Sequence, residues 1–288
     1  MNISIIGPGL IGGSIALDLK NEGNHIIGVD KNPEHLDQAL KLELIDVAMD
    51  MDSALEKSDV FILSIPVDGI IELLPEILDK IDMKTTVIDV GSIKSNICKA
   101  VENHPNRSRF VAAHPLAGTE YSGPKAALHG LFKNKYNIIC EEDKSDEDAL
   151  ETAVNIFNQI GMTTMFMNPL DHDKHIAYVS HLSHISSFML GQTVLEIEKD
   201  EKQIFNLAST GFESTVRLAK SSADTWVPIF QNNQKNISDS LEQYIGFLTE
   251  FKNAIDTDDR EKMYNMILKS NDIRRILSGM KLNIVKLS

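Results

Sequence analysis

Three side chains stand where chemistry is possible. His114 opens the run His114-Pro115-Leu116-Ala117-Gly118-Thr119-Glu120, directly after the short apolar stretch Phe110–Ala113. Neutral imidazole accepts a proton near pH 7, as the oxidation of an alcohol requires. The alternative is a buried histidine bonded to backbone. Ser92 lies in Asp89-Val90-Gly91-Ser92-Ile93-Lys94, again just past an apolar stretch. Its hydroxyl can bond a ligand there, or cap a following helix. Arg217, in Arg217-Leu218-Ala219-Lys220, carries the planar fork that grips a carboxylate with two N–H groups, unless it is an ordinary surface arginine. Ser180-His181-Leu182-Ser183-His184 adds two imidazoles. On a helix Ala177, His181, His184, Phe188 and Leu195 share a face, so the pair reads as the lining of a polar pocket. Their spacing offers no third zinc ligand, and Cys98 and Cys140 are remote, so no metal site is expected.

A second set of residues suits a dinucleotide. Gly7-Pro8-Gly9-Leu10-Ile11-Gly12 is a G-x-G-x-x-G between an apolar run and a helical stretch. In that setting Gly7 makes the tight turn, Gly9 lets backbone approach a pyrophosphate, and Gly12 allows close helix–strand packing. Leu10 and Ile11 then lie on the first helical turn, whose N–H groups favour phosphate. Asp30 ends the next strand, where an acid binds the adenosine ribose. Its charge repels the extra phosphate of NADP, so the expected cofactor is NAD; Lys31 beside it pulls the other way. Ser64, near the end of the run Val60–Ile65, and Ser92 complete the expected cofactor contacts.

These groups need a scaffold. Ile3–Ile6, His25–Val29, Val60–Ile65, Thr86–Val90 and Phe110–Ala113 are short and Val/Ile-rich, as buried parallel strands are. Helical stretches lie between them at Ile11–Asn21, Pro33–Leu42 and Ile70–Lys80. Asn137–Cys140 and Thr163–Met167 read as later strands around a helix near Asp146–Gln159. The order predicts an α/β fold, a Rossmann-type parallel sheet covered on both faces. After Asn168-Pro169 no strand pattern appears. The expectation is therefore an NAD-binding domain over 1–168 and an all-helical substrate-binding and dimerisation domain over 169–288. Its first helix would run from about Pro169 to Glu198. A helix that long needs partners, so a homodimer through the helical domain is expected.

Composition narrows the function classes. The 288 residues are 42% hydrophobic and 24% charged, with a net charge of −14. An acidic chain repels nucleic acid and anionic membranes, so neither is an expected partner. No run is apolar enough to span a membrane, and the N-terminus passes straight into a strand without a signal peptide. Two thiols without a disulfide framework suit the cytoplasm. Any anionic substrate must meet local cations.

Taken together, the motifs resemble those of the prephenate and arogenate dehydrogenases. The parts that carry the resemblance are G-P-G-L-I-G at the start, D-V-G-S-I-K at 89–94 and H-P-L-A-G-T-E at 114–120. H-D-x3-A-x2-S-H-L-x-H at 172–184, R-L-A-K at 217–220 and W-x2-I-F-x2-N at 226–233 follow in family order. The resemblance implies an NAD-dependent oxidative decarboxylation of a cyclohexadienyl acid on the route to tyrosine. It implies that His114 takes the proton of the ring C4 hydroxyl and that Ser92 orients that hydroxyl. Arg217 would bind a substrate carboxylate and His184 the substrate side chain. Glu120 would pair with the arginine and gate access, and Thr119 and His181 would line the pocket. Tyrosine, being product-like, would fit the same site as an inhibitor. Two positions depart from the pattern. Glu213 stands where some members carry lysine, which disfavours an anionic side chain and suits the amino group of arogenate. Ser183 replaces a common proline. The chain is too short for an appended ACT domain after the last motif, and none is expected; nor is a chorismate mutase segment before the first. Two rival readings remain. A β-hydroxyacid dehydrogenase would use a catalytic lysine and lacks H-P-x-A-G. A non-catalytic NAD-binding regulator has no need of Ser92, His114 and Arg217 together.

Overall fold

The computed structural model describes residues 1–198, 209–275 and 277. The expected helical domain extends to Ser288, so its stretches 199–208 and 278–288, and residue 276, lie outside the described residues. Strand β1 (Asn2–Ile6) sends Ile3 and Ile5 to one face and Ile6 to the other, the period-2 alternation of a strand buried on both sides. It begins an eight-stranded sheet with β2 (His25–Val29), β3 (Val47–Ala48), β4 (Val60–Leu63), β5 (Thr86–Asp89), β6 (Phe110–Pro115), β7 (Tyr136–Cys140) and β8 (Thr163–Met167). The order across the sheet is β3-β2-β1-β4-β5-β6-β7-β8. This is the doubly wound arrangement, with its switch point between β1 and β4.

Helices cover both faces. On one face α1 (Leu10–Asn21) and α6 (Glu147–Gln159) pack Ile15, Leu19, Ile156 and Phe157 against Ile3, Ile5, Ile62 and Ile88. On the other, α4 (Val67–Lys80) and α5 (Ser95–Ala100) pack Leu74, Ile77 and Ile97 against Ile6, Phe61, Leu63 and Val87. Buried side chains of this size each contribute about 1.5–3 kcal/mol, which anchors the strand ends that carry the site. α2 (Pro33–Lys41) and the short α3 (Met51–Leu55) complete the crossovers around β3.

The chain then turns helical. α7 (Pro169–Ile176), capped by the Asn168 side chain, runs through a π turn at Ala177–His181 into α8 (Leu182–Glu198). The single helix expected over 169–198 is thus continuous but locally wider. α9 (Thr210–Val216), a 3₁₀ turn at Arg217–Lys220 and α10 (Ala223–Asn232) follow. Residues Met1–Gln234 form one compact unit and Lys235–Ser288 a second. The second unit contains nearly all of α11 (Gln234–Asp256) and α12 (Arg260–Ser270).

Several local features differ from the sequence pattern. β3, α3 and α5 are too short, at two, five and six residues, to display a period. β4 stops at Leu63 and β5 at Asp89, whereas β6 runs two residues further, to Pro115. That extension exists because β7 pairs with β6 antiparallel, matching His114 to Ile138 and Pro115 to Asn137. The sheet is therefore mostly, not wholly, parallel.

Candidate active site

Strand register sets the candidate side chains in one row. Ile6 is level with Val29 and Leu63, Leu63 with Asp89, and Asp89 with Ala112. Immediately beyond that line, at the carboxyl ends of five adjacent parallel strands, come Asp30, Gly7, Ser64, Val90 and Ala113. Ser92 and His114 follow within two residues. At about 4.8 Å per strand the row is roughly 19 Å long. It lies at the edge where doubly wound sheets hold their ligands.

The glycine end is made of backbone. Gly7 has φ +86°, a left-handed conformation that disfavours side chains. A Cβ on Gly12 would meet Ser64 Oγ at 2.5 Å and Ile5 Cγ2 at 2.8 Å, so only glycine lets α1 approach β1 this closely. Gly9, by contrast, opens on free space, its nearest would-be contact being Gly123 at 3.9 Å. No side chain caps the start of α1, which leaves its first-turn N–H groups for an outside acceptor. Leu10 and Ile11 are half-buried on that turn. The Ser64 hydroxyl donates to the Gly7 carbonyl at 3.0 Å, tying β4 to the turn. The Asp30 carboxylate accepts from Asn32 N at 2.8 Å and lies 3.2 Å from His35 Nδ1. These residues fit a dinucleotide: an open backbone cradle, a helix start facing it, and an acid one strand away.

The histidine end is made of side chains from distant segments. His114 Nδ1 lies 2.8 Å from His172 Nε2, and His172 Nδ1 lies 2.8 Å from Asp173 Oδ1. Asp173 reaches from α7 to the start of α5, where it accepts the N–H of Lys94 at 2.8 Å and of Ser95 at 2.9 Å. Ser92 is therefore not the cap of α5; a carboxylate from 78 residues away takes that place. The Lys94 ammonium is fully buried against the Asp89 carboxylate and the Ala113 carbonyl, locking the ends of β5 and β6 together. Ser92, half-buried on the loop between them, makes no hydrogen bond to His114 among the described residues.

Electrostatics keep the imidazoles neutral. Burial, then the neighbouring His172, Lys94 and His181, hold His114 well below the ordinary histidine value. Burial likewise lowers His172, although its bond to Asp173 opposes the shift. Burial works against ionisation of Asp173, but hydrogen bonds from His172, Ser95 and Lys94 outweigh it and keep the carboxyl below its usual range. His181 is pushed down to about 4 by burial. Its Nδ1 lies 3.3 Å from Asn233 Nδ2, and its Nε2 is buried without a partner among the described residues.

The remaining residues flank this cluster. His184 donates from Nδ1 to the Ser180 carbonyl at 3.0 Å and stacks on Trp226 with ring centres 3.5 Å apart. Burial and the nearby Arg217 charge lower His184, against the Ser180 bond. Arg217 donates to Glu120 Oε2 at 2.7 Å; the arginine is half exposed, and Glu120 is mostly covered. Thr119 accepts from Tyr121 N at 3.3 Å on the loop after His114. Of the face Ala177, His181, His184, Phe188 and Leu195, only Leu195 stands exposed, further along α8. Hydrogen bonds and ring contacts link His114, His181 and His184 through His172, Asp173, Asn233 and Trp226, and Arg217 to Glu120, whereas Leu195 and Glu213 stand exposed. His172, Asp173, Lys94, Trp226 and Asn233 were given no separate part, although each falls inside a quoted motif.

A glycine-turn dinucleotide fold with a neutral, hydrogen-bonded histidine at its carboxyl edge defines an NAD-type dehydrogenase. Comparison with known proteins narrows the class. Residues 15–165 match the nucleotide-binding domain of prephenate dehydrogenase, and residues 168–269 match its dimerization domain. The chain belongs to the prephenate dehydrogenase family. It is similar to prephenate dehydrogenase of Bacillus subtilis (strain 168), 31% identical over 94% of this chain and 75% of that one. It is also similar to cyclohexadienyl dehydrogenase of Zymomonas mobilis, 27% identical over 96% of both. Among solved structures it is similar to prephenate dehydrogenase from A. aeolicus in complex with hydroxyphenyl propionate and NAD+. That similarity has a TM-score of 0.86 at 31% identity, over 96% and 97% of the two chains. Synechocystis arogenate dehydrogenase gives 0.74 at 26% identity, over 96% and 100%.

Proposed function

We propose that this protein oxidatively decarboxylates prephenate to 4-hydroxyphenylpyruvate with NAD+, releasing CO2 and NADH. The observation that carries the reading is a neutral His114 in the row that begins at the glycine turn, with Arg217 and His184 flanking it. NAD+, when bound along Gly7, Gly9, Leu10, Ile11, Gly12, Asp30 and Ser64, supplies the hydride acceptor. His114 accepts the C4 hydroxyl proton as the C4 hydride leaves, and Ser92 orients that hydroxyl. The bond from C1 to its carboxylate then breaks, its electron pair completes the aromatic ring, and the proton held by His114 returns to the C4 oxygen. Aromatisation supplies the driving force, so the protein mainly positions the reacting groups. Arg217 exchanges Glu120 for a substrate carboxylate, which couples binding to opening of that pair. His184 meets the substrate side chain, and Thr119 and His181 line the pocket.

Arogenate is the second reading, and Glu213 favours it. This carboxylate is exposed on α9, four residues before Arg217, and suits an ammonium better than a keto acid. A panel of prephenate and arogenate with NAD+ and NADP+, with and without tyrosine, separates the readings by kcat/KM. His114→Asn should keep the NAD+ dissociation constant and lower kcat by about 10²–10⁴. Near-normal turnover in that variant removes His114 from the chemistry.

The proposed division of labour is a cofactor domain over 1–168 and a substrate and dimerisation domain over 169–288. A homodimer in the cytoplasm fits the dimerization-domain match and the apolar Met189, Leu190, Leu195 and Ile197 left exposed on α8. Light scattering at micromolar concentration should return twice the 32.1 kDa chain mass. No helix among the described residues is long and apolar enough to cross a membrane.

A further inference from the structure

The deepest part of the histidine end lies behind His114, away from the open edge of the sheet. His172 and Asp173 are 1% and 2% exposed, and neither reaches the surface of the cleft. Burying a histidine and a carboxylate costs stability unless both are bonded, and both are. Every oxygen of Asp173 is engaged: Oδ1 by Lys94 N and His172, Oδ2 by Ser95 N, and its carbonyl by Asn233 Nδ2 at 2.7 Å. The carboxylate is thus fixed by the start of α5 and by His172, and its backbone by Asn233, so that His172 is held in turn.

Proton positions follow from donor and acceptor chemistry. An ionised carboxylate only accepts, so the proton facing Asp173 sits on His172 Nδ1. Neutral His172 then has a bare Nε2. Across 2.8 Å from it, His114 Nδ1 must donate, because two facing lone pairs would repel. His114 is left with its proton on Nδ1 and a lone pair on Nε2. The opposite tautomer would require a charged His172. Burial and the Lys94 ammonium both work against that charge.

We propose that His172 and Asp173 are positioning residues that, through two successive hydrogen bonds, hold His114 in the Nδ1–H tautomer with Nε2 free to accept the substrate proton. The inference rests on the proposed role of His114 as base and adds what sets that base. It also gives the developing imidazolium a partner, because the charged His114 still donates from Nδ1 to His172. Charged and titratable groups around the pair come from every neighbouring element: Asp89 from β5, Lys94 from the β5–α5 connection, His114 from β6, Asp173 from α7 and His181 from the π turn.

Two measurements test it. In the wild-type protein labelled with ¹⁵N-histidine, the His114 ring, assigned by its loss in His114→Asn, should show a protonated Nδ1 and a bare Nε2 at pH 7. A protonated Nε2 overturns the proposal, whatever the enzyme does. In His172→Gln, whose amide cannot be oriented by Asp173 as the imidazole is, kcat should fall by about 10²–10⁴. KM and the NAD+ dissociation constant should stay within about threefold, since a loss confined to the transition state lowers kcat alone. The acid limb of the pH profile should move to lower pH, because the imidazole that accepts from Nδ1 of charged His114 is removed. Wild-type kcat and an unmoved acid limb overturn the proposal, as does a variant in which kcat, KM and cofactor affinity all fail together. If His114→Asn keeps full turnover while the ring spectrum shows Nδ1–H, the reaction reading fails and the hydrogen-bond chain stands as architecture only.

Discussion

The two ends of the carboxyl edge are built in opposite ways. At the glycine end six consecutive residues and one helix start form the cradle, and backbone atoms do most of the work. At the histidine end side chains converge from β6, α7, the π turn and the 3₁₀ turn at Arg217–Lys220, and almost every contact is a side-chain hydrogen bond. The first kind of site depends on local conformation. The second depends on distant segments being folded together, since Asp89, Lys94, His114, His172, Asp173 and Asn233 form one connected set.

That contrast can be broken at its buried core. Lys94→Met leaves the fully buried Asp89 carboxyl, which burial already pushes up, without its ion-pair partner, so the free energy of unfolding in urea should fall by about 3–5 kcal/mol. A loss below about 1 kcal/mol would mean that the histidine end is no more interdependent than the glycine end.

Acid should separate the two ends next. His181 has its value lowered from 6.5 to about 4, so as pH falls the unfolded chain takes up a proton before the folded one does. Its contribution is fully present above about pH 6.5 and is lost progressively down to about pH 4, on the order of 3 kcal/mol. His114, His172 and His184, all lowered, act in the same direction. Melting temperature should drop between pH 7 and pH 5, and His181→Gln should flatten that slope. A slope unchanged by the substitution assigns the acid sensitivity elsewhere.

The smallest effect is expected at the glycine end. Ser64→Ala removes one hydrogen bond to the Gly7 carbonyl, worth about 0.5–1.5 kcal/mol, and should raise the KM for NAD+ by no more than about tenfold. A larger rise would show that this turn leans on side chains after all.

The same contrast explains what could be read from the residues alone. Gly7 to Gly12 and Asp30 are legible because a turn and a strand end are local events with local signatures. The short continuous apolar runs at Ile3–Ile6 and Val60–Leu63 likewise expose a sheet buried on both faces. The pairing of His114 with His172 joins residues 58 positions apart, that of Lys94 with Asp173 79, and that of Arg217 with Glu120 97. No periodicity encodes such distances; the Arg217–Glu120 pair came from family resemblance. The antiparallel β7 was hidden for a related reason. Its partner is reached through residues 116–135 rather than a crossover helix, and a strand's own residues do not state its direction.

The π turn at Ala177–His181 makes the reading frame of the helix that follows a matter of one amino acid. There the N–H of Leu182 bonds back to the Ala177 carbonyl, five residues earlier rather than four. Deleting any one residue of that turn would let ordinary helical geometry close up. It would also spin α8 by about 100° about its axis and swing His184 off the face of Trp226. Length variation should therefore be tolerated in the loops of this protein long before it is tolerated here.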